Sequence, residues 1–355
     1  MNRVFILLAA AAILIGQTVV SPEVGTDGRV TFRMAAPKAG EVLFYGDFMP
    51  VGTTKPMQKD AKGIWSVTSD TLPPSVYIYH FVVDGVTMAD PVNPRMKLRA
   101  RTSASLLEVP GDGNAEWQPR DVPHGAVEIN YQKSKVLNGE TRPVWIYTPP
   151  GYAASGNKKF PVLYLFHGSN DTAGGWVLAG HANFILDNLI AEKKAEPMIV
   201  VMPFGHAVPF GSPKEVQAKN TDTYEQYILR DVMPMVRSKY RIVGNRDKTA
   251  IAGLSMGGGQ SLGIGMKHLD LFSAIGSFSA AVPQGMEKHM AGLKKANPLV
   301  WVACGKEDSL FPRSAELTEK LKSAGVRHTW RATPGAHTYT VWRQNLAEFA
   351  PLLFR

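Results

Sequence analysis

One cysteine, Cys304, stands in a chain of 355 residues. A lone thiol closes no internal disulfide and builds no cysteine metal cluster; separately, no metal and no cofactor are expected. It falls in the apolar run Leu299 to Cys304, where a small buried thiol fits. Long apolar stretches are scarce as well: beyond Val4 to Ile15, itself too short, nothing approaches the roughly 20 residues that cross a bilayer. Met1-Asn2-Arg3 before that run and Gly16-Gln17-Thr18 after it make the pattern of a secretory signal peptide. Residues 1–20 are therefore expected to direct secretion or periplasmic export, with no stable membrane insertion. Internal repeats and low-complexity tracts are missing. The formal charge is +9, but the lysines and arginines are dispersed and no aromatic-basic motif accompanies them, which argues against nucleic acid as a partner. The densest basic group, Arg95, Lys97, Arg99 and Arg101, alternates with Met96, Leu98 and Ala100; period two predicts a strand with one solvated face.

What is present is an ordinary globular composition, 45% hydrophobic, with length enough for two domains. Residues 21–113 offer short β-rich runs: Val30 to Met34, Glu41 to Tyr45, Gly63 to Val67, Val76 to Val83 and Arg95 to Val109. Pro73-Pro74, Asp84-Gly85 and Pro110 to Gly113 punctuate them. No helical period interrupts, so a small all-β sandwich is expected. Trp65, Tyr77 and Tyr79 fit either its core or a sugar-stacking surface, and Tyr77 and Tyr79 must share one face. Residues 114–125, with Pro119 and Pro123, read as a linker.

From residue 126 to 355 the pattern changes. Ala126 to Tyr131 and Arg142 to Tyr147 are strand-like, and Pro161 to Phe166 and Met198 to Met202 are continuous apolar runs of the kind buried in a parallel sheet. Helical stretches cover Gly180 to Lys194, Tyr224 to Tyr240, Met256 to Lys267, Arg313 to Ala324 and the chain from about Thr340. Strand and helix alternate through Leu299 to Cys304 and Thr329 to Ala332. That alternation predicts a doubly wound α/β domain with its site at the carboxyl ends of the strands.

The chemistry is concentrated in Lys248 to Gln260. There Thr249 to Leu254 reads as a strand, and Ser255 follows inside Gly253-Leu-Ser-Met-Gly257. This is a nucleophile pattern when strand precedes and helix follows. Gly259-Gln-Ser-Leu-Gly263 also matches, but Ser261 has no strand before it, so Ser255 is the candidate. A serine needs a base, and the base an orienting carboxylate. Glu307 and Asp308 follow the Leu299 to Cys304 strand, and His337 follows the Thr329 to Ala332 strand, in the order expected of this arrangement. Asp308 is favoured over Glu307, and His337 over His268, His289 and His328, which lie on or before elements. Two backbone N–H groups are needed for an oxyanion; Met256 and Ser169 are the candidates, Ser169 because it follows His167-Gly168 at a strand end. His167 reads as a structural residue of that loop. Phe204, Phe278 and Trp342, together with His206 in the Met202-Pro-Phe-Gly-His206 loop, are candidate substrate contacts; Phe210 and Phe311 lie in or near loops as well.

Two resemblances follow. Phe44-Tyr-Gly-Asp-Phe48, Gly63-Ile-Trp65, Tyr77 to Gly85 and Asp90-Pro-Val-Asn-Pro94 resemble the immunoglobulin-like module related to family-48 carbohydrate-binding modules. Tyr147 to Tyr152, Pro161 to Gly168, Met202 to His206, Ala252 to Gly258, Gly276 to Ser279 and Gly335 to Thr338 resemble the esterase D group, more narrowly carbohydrate esterase family 1. The second resemblance covers about Pro123 to the C-terminus. It implies an α/β-hydrolase with Ser255, Asp308 and His337 as triad, acting on acylated plant cell-wall polysaccharide, foremost as a feruloyl esterase. Acetylxylan esterase, siderophore esterase and acyltransferase are the alternatives within that fold, and a polysaccharide-binding protein without activity is the alternative outside it.

Overall fold

The computed structural model describes residues 19–280 and 282–355; the expected signal peptide lies outside the described residues but for its last two. The first ten strands are β1 Glu23–Val24, β2 Val30–Ala35, β3 Val42–Gly46, β4 Lys55–Pro56, β5 Gln58–Lys59, β6 Ile64–Thr68, β7 Ser75–Val83, β8 Val86–Met88, β9 Met96–Lys97 and β10 Ala104–Val109. They form two antiparallel sheets, ordered β1-β2-β6-β5 and β4-β3-β7-β10-β9, with β8 paired to β7. Alternation along the strands sends Phe32, Phe44, Trp65, Tyr77, Tyr79 and Phe81 into the space between the sheets. Trp65 donates its indole N–H to the Ala36 carbonyl at 2.9 Å. Trp65, Tyr77 and Tyr79 are thus core residues, not a surface for stacking sugars.

Strand β7 is buried on both faces. While Tyr77 and Tyr79 face the sandwich core, Val76 and Ile78, with Ala104 and Leu106 of β10, join an apolar cluster shared with the second part of the chain. The expected continuous strand from Arg95 to Val109 is broken: β9 and β10 are joined by irregular chain. The basic group along it is solvated only in part: Arg95 and Arg101 are exposed, but the basic residues between them are not. Lys97 is 3% exposed, Arg99 is half-buried, and the Arg101 guanidinium lies 4.7 Å from the Phe210 ring centroid. Periodicity misreads this stretch because the surface it meets comes from residues far along the chain.

The remaining strands are β11 Ala126–Lys133, β12 Thr141–Thr148, β13 Val162–Phe166, β14 Ile199–Pro203, β15 Thr249–Leu254, β16 Ala274–Phe278, β17 Leu299–Gly305 and β18 Thr329–Thr333. They make one sheet, ordered β11-β12-β14-β13-β15-β16-β17-β18, antiparallel at β11 and β12 and parallel from β14 onward. The helices are α1 Gly175–Leu178, α2 Ala182–Ala191, α3 Lys214–Gln217, α4 Asn220–Tyr227, α5 Met233–Lys239, α6 Met256–Lys267, α7 Met290–Ala296, α8 Phe311–Ser323 and α9 Tyr339–Phe349. Side chains alternate between two cores. Tyr164, Ile251 and Val302 pack with Tyr224, Leu262 and Leu317 on one face. Leu163, Ala252 and Ala303 pack with Ile185, Leu346 and Phe349 on the other, the face that also receives the sandwich.

The expected helix from Tyr224 to Tyr240 is divided by a π turn over Ile228–Val232, where the Met233 N–H reaches the Ile228 carbonyl. Pro234 follows and has no N–H to continue the ladder, which accounts for the wider turn beside it. Between the last sandwich strand and β11 the chain is pinned to α2. The Asp187 carboxylate accepts from Gly125 N–H and Tyr147 OH and meets His124 Nδ1 at 2.9 Å.

Candidate active site

Strand β15 ends at Leu254 and α6 starts at Met256, leaving Ser255 at φ 53° and ψ −116°, a backbone conformation costly for any residue with a Cβ. The bend is held by the Ser255 N–H, which donates to the Phe278 carbonyl at 2.8 Å. A side chain at position 257 would come within 2.5 Å of the His167 carbonyl oxygen, so glycine is required for α6 to start so close to the neighbouring strand end. Ser261, the competing motif serine, is fully buried in α6 and donates its hydroxyl to the Gly257 carbonyl.

Ser255 Oγ lies 3.0 Å from His337 Nε2, and His337 Nδ1 lies 2.7 Å from Asp308 Oδ2. An ionised carboxylate only accepts, so Nδ1 carries the proton and Nε2 is left to accept from the serine hydroxyl. Asp308, with a side chain closed to solvent, also accepts the Leu310 N–H at 2.8 Å through Oδ1. Burial alone would raise its pKa, but the hydrogen bond and charge of His337, the Leu310 N–H and the Ser279 hydroxyl hold it below the ordinary carboxylate value. Glu307, the rival acid, is exposed and accepts the Gly335 N–H, which ties the turn ahead of His337.

Above Ser255 runs the loop after β13. A Cβ on Gly168 would stand 3.2 Å from Ser255 Cβ, which measures how closely that loop crosses the serine. Ser169, next in the loop, lines the same cavity. The Met256 N–H heads α6 and has no partner within that helix. His167 is buried; its Nδ1 meets the Gly168 carbonyl at 2.8 Å and its Nε2 accepts the Gly205 N–H at 2.7 Å. It braces two loops, with burial pushing its pKa down.

The cavity over Ser255 has a volume near 360 Å³. Its catalytic wall carries Gly168, Ser169, Ser255, His337 and Trp342, and Trp342 meets the His337 ring edge-on at 4.8 Å. Of the other candidate contacts, none lines it. Phe278 is fully buried against Trp176 and Phe349, because it lies on strand β16 rather than in a loop. His206 is 2% exposed, between Phe204 and Phe210, with both ring nitrogens unpartnered and its pKa lowered to about 4, chiefly by burial. Phe204 stacks on the Arg142 guanidinium at 4.9 Å and lines a separate depression.

The opposite wall comes from the sandwich: Tyr45, Asp47, Ile78, His80, Lys97 and Arg99. Tyr45 stacks on His80 at 4.7 Å. Burial, with help from Arg99, lowers the His80 pKa to about 4, so that ring is neutral near pH 7. Asp47 accepts the Ile78 N–H through Oδ1, while its Oδ2 is buried without a partner, and burial raises its pKa to about 7. No carboxylate lies within salt-bridge distance of Arg99 among the described residues. Sequence reasoning missed this wall, since no periodicity records which sandwich edge docks on another domain.

The Esterase family model matches residues 134–353. The chain belongs to the Esterase family. An endo-1,4-beta-xylanase/feruloyl esterase of Xylanibacter ruminicola is 28% identical over 346 residues, which are 94% of this chain and 46% of that protein. An esterase of Mycobacterium tuberculosis is 24% identical over 246 residues, 55% of this chain and 52% of its own. The chain thus spans about half the length of these curated relatives. Among solved structures, a ferulic acid esterase of Anaeromyces mucronatus is 25% identical, with a TM-score of 0.61 over 69% of this chain and 96% of its own. The enterobactin esterase of Shigella flexneri, at 18% identity, shares the fold over 92% of this chain and 93% of its own, with a TM-score of 0.67. The likeness to that enzyme extends over both the sandwich and the α/β-hydrolase domain.

Proposed function

We propose that this family member is a serine carboxylic-ester hydrolase acting on acylated plant cell-wall polysaccharide, foremost a feruloyl esterase that releases ferulate from arabinoxylan. The observation that carries the reading is the hydrogen-bonded chain Ser255–His337–Asp308, at 3.0 and 2.7 Å. Ser255 Oγ forms a bond to the ester carbonyl carbon while its proton passes to His337 Nε2, and Asp308 holds the resulting imidazolium in place. The N–H groups of Ser169 and Met256 receive the oxyanion. The carbon–oxygen bond to the alcohol then breaks, His337 returns the proton to that oxygen, and water repeats the sequence to free the acid.

The ferulate and polysaccharide assignment is supported by the Xylanibacter ruminicola relative and by a cavity whose aromatic lining, Trp342 and Tyr45, suits a hydroxycinnamoyl group. We read residues 1–20 as an export signal and the sandwich as the module related to family-48 carbohydrate-binding modules. Its buried aromatics favour service as a wall of the ester cavity over an independent sugar platform.

The test is a panel of methyl ferulate, acetylated xylan, a short-chain aryl ester and a siderophore ester, given to the wild type and to Ser255→Ala. Highest kcat/KM on methyl ferulate, abolished in a folded Ser255→Ala, is expected. Preference for acetylated xylan or the siderophore ester moves the assignment within the fold. Xylan retention without hydrolysis of any ester replaces it with a binding function.

A further inference from the structure

We propose that Lys97, a residue of the N-terminal sandwich, is a positioning residue for the ester reaction: its buried ion pair with Asp171, shared with Tyr339, locks the oxyanion loop to the loop that carries the base. The proposal rests on the reading of Ser255, His337 and Asp308 given above.

Asp171 stands three residues after Gly168, in the loop that crosses Ser255; Tyr339 stands two residues after His337. Lys97 Nζ bonds Asp171 Oδ1, and the Tyr339 hydroxyl donates to Asp171 Oδ2 at 2.6 Å. The Lys97 ammonium also lies 5.2 Å from the Tyr339 ring centroid. The Lys97 and Asp171 side chains are 3% and 7% exposed, so the pair works in a low-dielectric setting where a missing partner is costly. Burial pulls the ammonium down from its ordinary value and Asp171 opposes it; burial would raise the Asp171 carboxyl, but Lys97, His167 and Tyr339 hold it low.

The same sandwich segment grips the loop twice more. Ala100 N–H donates to the Asn170 carbonyl at 3.2 Å and Arg101 N–H to the Asn170 side-chain oxygen at 3.2 Å. On the base side, Arg343 of α9 donates to Ser75 Oγ at 2.6 Å and the Val76 carbonyl at 3.0 Å, both on β7. The two halves of the catalytic geometry, the Ser169 N–H and the His337 ring, therefore hang on loops held against one common body, the sandwich, and Lys97 is where both loops meet it. A displacement of about 1 Å between such groups costs up to about a hundredfold in rate without loss of substrate affinity.

The experiment uses the full chain. Lys97→Met alone leaves a buried carboxylate unpaired, so Lys97→Met/Asp171→Asn, which removes both charges, and Tyr339→Phe, which removes one hydroxyl, are compared with wild type and with the exposed neighbour Arg95→Ala. kcat and KM are measured on a short-chain aryl ester, alongside the rate of Ser255 labelling by a fluorophosphonate and the thermal unfolding midpoint. Expected is a tenfold or greater fall in kcat and in labelling rate for the double variant, about threefold for Tyr339→Phe, KM within about threefold, and no change in Arg95→Ala. Wild-type kcat in a folded double variant, or a loss confined to KM, overturns the proposal. If the double variant does not fold, unchanged kcat in Tyr339→Phe overturns it and a selective kcat loss there upholds it. Hydrolysis by wild type and its absence in Ser255→Ala test the esterase reading separately, so an active enzyme indifferent to Lys97 refutes this inference alone.

Discussion

Replacing Asp308 by asparagine should cost more activity than its small change of shape suggests. Asp308 Oδ1 accepts the Leu310 N–H at 2.8 Å, and only an oxygen serves there. The substituted amide therefore settles with its oxygen on Leu310 and its NH2 toward His337 Nδ1, which lies 2.7 Å from the native carboxylate. A donor at that place obliges Nδ1 to accept, the imidazole proton moves to Nε2, and Nε2 can no longer take the Ser255 proton. The asparagine side chain thus holds the wrong tautomer instead of leaving the ring free. The expected loss in kcat is about 10⁴-fold, on the order of 5.5 kcal/mol of barrier. The assay is steady-state hydrolysis of a short-chain aryl ester at saturation, with circular dichroism and the unfolding midpoint as controls for folding. Glu307→Gln, which removes the charge but keeps an amide oxygen to accept the Gly335 N–H, should stay within about threefold of wild type on the same scale. A folded Asp308→Asn variant with kcat within tenfold of wild type would refute the reasoning, and a larger loss in Glu307→Gln would transfer the role to that residue.

Ser261→Ala removes a hydroxyl bonded within α6 and should leave ester turnover within twofold, with a stability change under about 1 kcal/mol by urea unfolding; loss of turnover would reopen the choice of nucleophile. Asp47 has its folded-state pKa raised to about 7, so its ionised form opposes folding, and the penalty grows as pH rises from the unfolded value near 4 through 7. Asp47→Asn should accordingly be no more stable than wild type near pH 4 but more stable by about 1–2 kcal/mol at pH 8, a figure discounted for partial exposure; a pH-independent difference would show that Asp47 is not the titrating group. Arg99→Ala should raise KM about tenfold for a feruloylated arabinoxylan oligosaccharide and leave a small aryl ester unaffected, because Arg99 sits on the wall facing Ser255. Equal effects on both esters would remove Arg99 from recognition.

Legibility followed the range of the physics involved. The strand, bend and helix around Ser255 are local: Thr249 to Leu254 is an apolar run, and glycines admit the close approach of α6 to β13, so nearby residues suffice to read them. Asp308 and His337 were legible because parallel strands deliver their following loops to one edge of the sheet, which makes chain order a proxy for proximity. Phe278 is hard to read as a strand residue because Ala274 to Phe278 is a short, glycine-containing run with one β-branched residue, and pattern alone gives it little strand character. His206 follows a strand as expected, but its ring turns inward between two phenylalanines, a rotamer choice that no spacing encodes.

The Arg95 to Arg101 stretch marks where sequence patterning stops. Alternation assigns side chains to two faces, and the further step, that a charged face meets water, presumes that nothing else covers it. Here the covering surface is the loop containing Asn170 and Asp171, 74 residues beyond Lys97. A lysine in such a place is indistinguishable by period from a solvated one, because desolvation is decided by the partner and not by the strand. The same holds for β7, where Tyr77, Tyr79 and Phe81 lie on one face and Val76 and Ile78 on the other, and both groups are covered. When a strand carries apolar residues at successive positions, as Val76 to Tyr79 do, burial on both sides is the economical explanation, and it predicts a second body against the sheet. In this chain that body is the domain bearing Ser255, so the sandwich edge and the reacting groups are parts of one cavity.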